Sequence, residues 1–401
     1  MEIGRIMKMG NKSFSPKWKA QITMLMKSKA MNAFVAALLA IALGLIFGLV
    51  VMIIASPANA FNGFITMLVG GFGRLGDVFY FATPILMTGL SVGFAFKMGL
   101  FNIGASGQYT VGMFFAIYVG FMFKLPPSIH WLVCILAGMI GGMLWGFIPG
   151  LLKATLNVNE VITSIMFNYI GMYLVDMLVM NNAAIYVPTM TRTAYLPDSA
   201  QIPALGVPNS NVNVSVIFAV AFAILLAIVL GKTTFGFELK ATGFNKHASK
   251  YAGMNDTKNT ILSMIIAGGL AGLGGAFAIL APSGISGSSM TYEPINIIAA
   301  NGFNGIAVAL LGNSNPIGII FSALFISHIQ RGGTLVSAFF GYKPEIIDVV
   351  ISIIIYFTAL TMLMKAALGR LVKKKKKTEI NRVTEDTMTD GLNHKTESKE
   401  A

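Results

Sequence analysis

The chain has 401 residues, 55% of them hydrophobic and only 11% charged, with a formal net charge of +13. Soluble domains carry about 25% charged residues, so this composition excludes an ordinary soluble enzyme and predicts an all-α polytopic membrane bundle. The basic excess lies outside the apolar runs, where membrane topology accounts for it better than nucleic-acid binding does.

Residues 1–29 carry Arg5, Lys8, Lys12, Lys17, Lys19, Lys27 and Lys29 against the single acid Glu2, a basic cytoplasmic lead-in. The first span runs from Met31 to Ala55. Its long basic approach and full-length apolar run read as a retained helix rather than a cleaved signal peptide. Ser56-Pro57-Ala58-Asn59 breaks it. Residues 57–77, with Gly70, Gly71, Gly73 and Gly76, read as a short re-entrant or surface helix. The second span covers Val78–Phe96.

The next stretch, Met98–Gly112, organises the chain. It holds Gly99, Gly104, Gly107 and Gly112 together with Asn102, Ser106 and Gln108. Glycine weakens a helix by about 1 kcal/mol relative to alanine, and a buried amide needs hydrogen-bond partners. Both facts predict a broken third span (Phe101–Phe123) lining a polar path at membrane depth. The bland alternative is a glycine-rich packing seam with its amides satisfied by neighbouring helices.

The fourth span, Trp131–Leu152, contains the single cysteine, Cys134, read as a packing residue. The fifth, Val161–Met180, is entered through Asn157–Glu160 and carries Asn168-Tyr169. Asn181–Asn213 is polar, with Pro188, Pro197, Pro203 and Pro208, and is the longest segment expected on the far side. The sixth span is Val214–Leu230. A basic loop, 231–259, leads into the glycine-rich seventh span, Ile261–Leu280. After Pro282–Ser288 comes a second glycine and amide segment, Ala300–Gly312, a short or broken eighth span. Pro316–Ile329 and Ile346–Met364 complete ten, and residues 367–401 form a basic, disordered tail.

Ten spans place both termini on one side. All of the 29 Lys and Arg except Arg74, Lys124, Arg192, Arg331 and Lys343 then fall on that side, which makes it cytoplasmic. The domain reading is a lead-in (1–29), a membrane domain (30–366) and a tail (367–401). Interrupted spans near 102–108 and 301–305, one in each half, are the sequence pointer to a transporter site at the midplane.

Enzyme motifs are missing. Gly231-Lys232-Thr233 follows an apolar helix, and Leu226 stands where a phosphate loop needs its first glycine. The four histidines, His130, His247, His328 and His394, are dispersed, so no metal site is expected. Carboxylates within the spans are scarce, with Asp176 and Asp348 near predicted ends, which argues against a proton-driven carrier. In the basic loop, Phe235, Phe237, Phe244 and Tyr251 punctuate short helical stretches separated by Gly243 and closed by Gly253. Such a knobbed helix fits a groove on a partner protein. The competing reading is a positive loop lying on anionic lipid.

Several blocks together resemble a bacterial ABC-transporter permease of the family serving branched-chain amino acids, simple sugars and nucleosides. Phe101-Asn102-Ile103-Gly104-Ala105-Ser106-Gly107-Gln108 is similar to that family's Phe-Asn-Ile-Gly-x-x-Gly-Gln signature. Asn159–Ile162 with Asn168-Tyr169 resembles its second block, Gly236–Gly253 its cytoplasmic coupling loop, and Gly302–Gly312 its late block. The resemblance spans about residues 30–365 and is nearest to nucleoside permeases of the guanosine type. One departure is Ser106, where that branch commonly carries glutamate.

The resemblance implies a transport subunit of an importer, without its own nucleotide site and with no cofactor of its own. ATP and Mg would sit on a cytoplasmic ATPase partner. A second permease and an extracytoplasmic substrate-binding lipoprotein would complete the assembly. Candidate path residues are Phe101, Asn102, Gln108, Asn168, Asn301, Phe303 and Asn304. Amides both donate and accept, which suits uncharged, base-bearing or hydroxylated substrates. Candidate ATPase-coupling residues are Gly236, Glu238, Lys240, Ala241, Gly243, Asn245, Tyr251 and Gly253. Tyr186, Arg192, Tyr195 and Asp198 are the candidate contact for the binding protein. A simple-sugar permease for a substrate such as ribose, a secondary carrier and a non-transport scaffold are the alternatives.

Overall fold

The computed structural model describes residues 29–208, 210–282 and 290–360. The basic lead-in before Lys29, most of the Pro282–Ser288 segment and the tail lie outside the described residues. The chain forms two compact units, one of residues 1–46 and 356–401, the other of residues 47–355. The described part of the first is helical throughout, apart from a turn at Leu360. The second carries the rest of the architecture described below.

The helices in order are α1 (Lys29–Ala55), α2 (Ala60–Val69), α3 (Leu75–Lys97), α4 (Ala105–Met122), α5 (Pro127–Leu156) and α6 (Glu160–Met180). After a two-stranded hairpin, β1 (Tyr186–Val187) and β2 (Arg192–Thr193), come α7 (Ser215–Lys232), α8 (Thr234–Phe244) and α9 (Lys246–Tyr251). The last four are α10 (Asp256–Ile279), α11 (Ala300–Leu311), α12 (Pro316–Phe340) and α13 (Pro344–Ala359). Seven helical stretches among the described residues are long and apolar enough to cross a membrane. The molecule is a polytopic helical membrane protein.

Asparagine and threonine caps punctuate the helices. Asn159 Oδ1 accepts from Val161 N at 2.9 Å to start α6. Thr233 starts α8, Asn245 α9, Asn255 α10 and Asn315 α12, each by accepting an orphan backbone N–H. Each of these five helices starts at a short polar side chain.

The helices form a centre and a periphery. In Ala60–Lys97 the apolar window is 89% buried, whereas in Ser215–Lys232 it is 28%. α10 packs against α3, α4 and α5. Its contact with α5 is at backbone distance, because a Cβ on Gly268 would land on the Gly142 carbonyl oxygen and the reverse holds too. Small residues on both sides let the two helices touch without side chains between them.

The ninth span differs from its expected length. The sequence places its end at Ile329 and Arg331 in a loop, but α12 continues to Phe340. Arg331 is accommodated inside the bundle because its guanidinium pairs with Asp77 of α3 at 3.0 Å. Gly332 and Gly333 then pass close to α2 and α13.

Candidate functional site

The helical path breaks between α3 and α4. Gly99 takes a positive φ of 74°, and residues 98–104 form no helix before α4 begins at Ala105. Three amides pin this break. The Asn102 side chain donates to Gln108 Oε1 at 2.9 Å and to Ser91 Oγ at 3.1 Å. Gln108 Nε2 donates back to Asn102 Oδ1 at 3.2 Å. Asn168 of α6 accepts from Gly107 N at 2.7 Å and donates to the Ile103 carbonyl at 3.0 Å. All three residues are buried. A buried amide is stable only with both ends paired, and here each pairs across the break.

The two interrupted segments of the sequence meet in space. Ser106 Oγ donates to the Ala299 carbonyl at 3.1 Å, and Gly302 lies directly on the Ser106 backbone. Asn301 Nδ2 donates to Tyr109 Oη at 3.0 Å, and its carbonyl accepts from Thr88 Oγ1 at 2.8 Å. Asn301 and Tyr109 also border a cavity of about 190 Å³ between α3, α4, α10, α11 and α12. Of the other candidate path residues, Phe101 stacks on Phe96 with ring centroids 5.1 Å apart. Phe303 is exposed and Asn304 half-buried.

Tyr80 and Gln330 border the same cavity, and sequence reasoning missed both. Their signal was weak. Asp77 is one helical turn before Tyr80, and Arg331 directly follows Gln330. A pairing of these charges in the bundle would have drawn attention to their neighbours.

The basic loop folds into α8 and α9. Gly236 and Leu239 face inward, while Lys240 and Asn245 are exposed and Glu238 and Ala241 half-buried. Gly243 rests on the Met98 backbone, and Gly99 faces the Gly243 carbonyl in return; a Cβ on Gly243 would collide with Met98. Asn259 Nδ2 donates to Thr242 Oγ1 at 3.4 Å, and Ser263 Oγ donates to Met98 Sδ at 2.9 Å. The loop therefore touches the first residues of the helix break. Lys246 pairs with Asp256 at 3.1 Å, and Gly253 closes α9 with a φ of 82°. Phe244 and Tyr251 are 94% and 95% exposed.

At the opposite end of the helices, β1 and β2 pair Tyr186 with Thr193. The Arg192 guanidinium sits 4.3 Å above the Tyr195 ring, and Tyr195 and Asp198 are exposed. Thr193 exchanges hydrogen bonds with Tyr292, donating its N–H at 2.8 Å and accepting at Oγ1 at 3.0 Å. The Tyr292 hydroxyl donates to Asp176 at 2.5 Å, and Asn296 N donates to the same carboxylate at 2.8 Å. Burial and the adjacent carboxylate push the Tyr292 phenol far above its ordinary pKa.

Residues 74–359 match the family described as branched-chain amino acid transport system / permease component. The chain belongs to this family. Among its relatives is the guanosine ABC transporter permease protein NupP of Bacillus subtilis, 35% identical over 354 residues, covering 86% of this chain and 99% of that protein. The nucleoside ABC transporter permease protein NupB of Lactococcus lactis is 34% identical over 344 residues, covering 83% and 92%. A second guanosine ABC transporter permease protein of B. subtilis, NupQ, is 26% identical over 258 residues, covering 62% and 78%. No solved structure matches the chain.

Proposed function

We propose that this permease is one of two membrane subunits of an ABC importer that carries nucleosides across the cytoplasmic membrane. The observation that carries the mechanism is the contact of Gly243 with Met98 and Gly99. It joins an exposed aromatic loop to the broken helix at the bundle centre. ATP hydrolysis with Mg on a docked ATPase would displace α8, and α8 would bear directly on the break. Phe237, Phe244 and Tyr251 supply the docking knobs, and the basic charge of both terminal segments assigns them to the cytoplasmic side as well. Nucleosides are the substrate of choice because the relatives at 34–35% identity are named for guanosine and nucleosides.

A second permease is supported by the exposed face of α6. Met166, Tyr169, Tyr173 and Met177 form one stripe along it, and Ile165, Ile170 and Leu178 are exposed on either side of it. Tyr169 and Tyr173 are 47% and 56% exposed in mid-helix, and no described residue hydrogen-bonds either hydroxyl. Hydrocarbon would leave those hydroxyls unpaired, whereas a partner permease across a wet path satisfies them. B. subtilis likewise has two distinct relatives of this chain, NupP and NupQ. At the other end, the Tyr186, Arg192, Tyr195 and Asp198 surface would receive the substrate-binding lipoprotein.

Uptake of labelled guanosine by cells with and without this chain tests the proposal. Deletion is expected to abolish uptake, with unlabelled nucleosides competing and ribose and leucine not. Competition by ribose or leucine instead would move the substrate to another branch of the family. Unchanged guanosine uptake, in cells lacking any second nucleoside transporter, would remove the nucleoside assignment.

A further inference from the structure

We propose that the cavity between α3, α4, α10, α11 and α12 receives the base of the nucleoside in transit, with Tyr80, Asn301 and Gln330 reading the base edge. This inference rests on the nucleoside-permease reading above. The cavity has a volume of about 190 Å³. Pockets that hold whole small ligands begin at roughly 300 Å³, so there is room for a ring system but not for an entire nucleoside.

Its lining has the chemistry of a base site. Tyr80, Phe81 and Tyr109 offer aromatic surface. Stacking on aromatic rings tolerates any base, because every base has a π-face. The polar groups are equally specific. Gln330 and the Tyr80 hydroxyl border the cavity and make no hydrogen bond with the described residues, although Tyr80 is buried. Asn301 spends its Nδ2 on Tyr109 and leaves Oδ1 without a partner among them. Tyr80 is buried while Asn301 and Gln330 are half-buried, so the cavity presents one buried hydroxyl and two partly exposed amides that an occupant with donors and acceptors of its own would pair. An amide matches a base edge, because it presents a donor and an acceptor side by side.

The charge pattern excludes other members of the family's substrate range. Among the described residues, none that borders the cavity is charged. The nearest ion pair, Asp77 with Arg331 at 3.0 Å, is neutralised internally. It clamps α3 to α12 and so fixes Tyr80, one turn beyond Asp77, and Gln330, one residue before Arg331. A zwitterionic amino acid would find no counter-charges here. A bare pentose has no planar π-face to stack on the rings and no amide-like edge for the side-chain amides.

The test uses the complete transporter in proteoliposomes, with Gln330→Cys introduced on a Cys134→Ala background. A small membrane-impermeant thiol reagent reports on the cavity, and Ser128→Cys, on an exposed turn of α5, is the control. Guanosine is expected to slow labelling of Gln330→Cys at least tenfold, ribose and leucine to have no effect, and the control to be indifferent to all three. Protection by ribose, protection of the control to the same degree, absence of protection, or absence of labelling each overturns the proposal; a cavity filled by water alone gives absence of protection. Tyr80→Phe provides a second measurement if the cysteine variant does not assemble. Loss of one hydrogen bond to the substrate is expected to raise the half-saturating guanosine concentration about tenfold, and an unchanged value overturns the assignment. Guanosine uptake by the unmodified transporter in the same vesicles separates the two levels. Uptake without protection removes only the cavity assignment, whereas absence of uptake removes the nucleoside reading itself.

Discussion

At the scale of single residues, the amides of the broken helix are bonded to one another before any substrate arrives. Asn102 and Gln108 exchange two hydrogen bonds, at 2.9 and 3.2 Å, in a buried setting. Gln108→Leu would leave the Asn102 amide short of a donor and an acceptor. An unpaired buried polar group costs about 1–3 kcal/mol, so the variant is expected to melt several degrees lower in detergent. Asn102→Leu with Gln108→Leu should cost less than the sum of the single changes, since both remove the same bonds. The Asp77–Arg331 pair follows the same logic with larger stakes. Asp77→Asn leaves a guanidinium in the bundle whose Nε already lacks a partner. Breaking a buried pair from one side costs about 3–5 kcal/mol. We expect Asp77→Asn to reduce the yield of folded protein sharply, and Asp77→Asn/Arg331→Gln to recover part of it, as measured by size-exclusion chromatography after extraction.

At the scale of elements, the seam between α5 and α10 depends on missing side chains. Gly142 and Gly268 face each other so closely that a Cβ on either would enter the other's carbonyl. Gly268→Val is expected to prevent α10 from seating and to leave no monodisperse protein, while Gly231→Ala in α7, with open space around it and an ordinary helical backbone, should give near-normal yield. This difference marks what the sequence makes legible. Glycine enrichment in 261–280 announces close packing, and polar caps such as Asn159 and Asn255 announce where helices start, because both signals are local. The break at 98–104 is legible for the same reason, as glycines and amides sit within a few residues of one another. The run of α12 past Ile329 is not, because Arg331 is tolerated only by virtue of Asp77, on a distant part of the chain. Tyr80 and Gln330 are illegible likewise, since their cavity exists only once five helices have come together.

At the scale of the molecule, one line of contacts runs from the exposed loop to the centre of the bundle. Gly243 of α8 lies on Met98 and Gly99. The break that follows is tied by Asn102 and Gln108 to α3 and by Asn168 to α6. Beyond it Ser106 bonds to Ala299 and Tyr109 to Asn301, at the start of α11. Packed contacts of this kind transmit displacement only if an element has two arrangements that both ends bias, and the proposed coupling assigns that role to the unwound 98–104 segment. Gly243→Val separates docking from transmission. Its added side chain would press α8 away from Met98, while Phe237, Phe244 and Tyr251 keep their exposed positions on the loop surface. We expect the variant to retain the ATPase on co-purification and to retain ATP hydrolysis, yet to lose nucleoside uptake. Phe244→Ala with Tyr251→Ala should instead release the ATPase, and lose uptake for that reason. Full uptake by Gly243→Val would show that the loop drives the bundle through some other contact, and loss of the ATPase from it would show that docking and transmission share one surface.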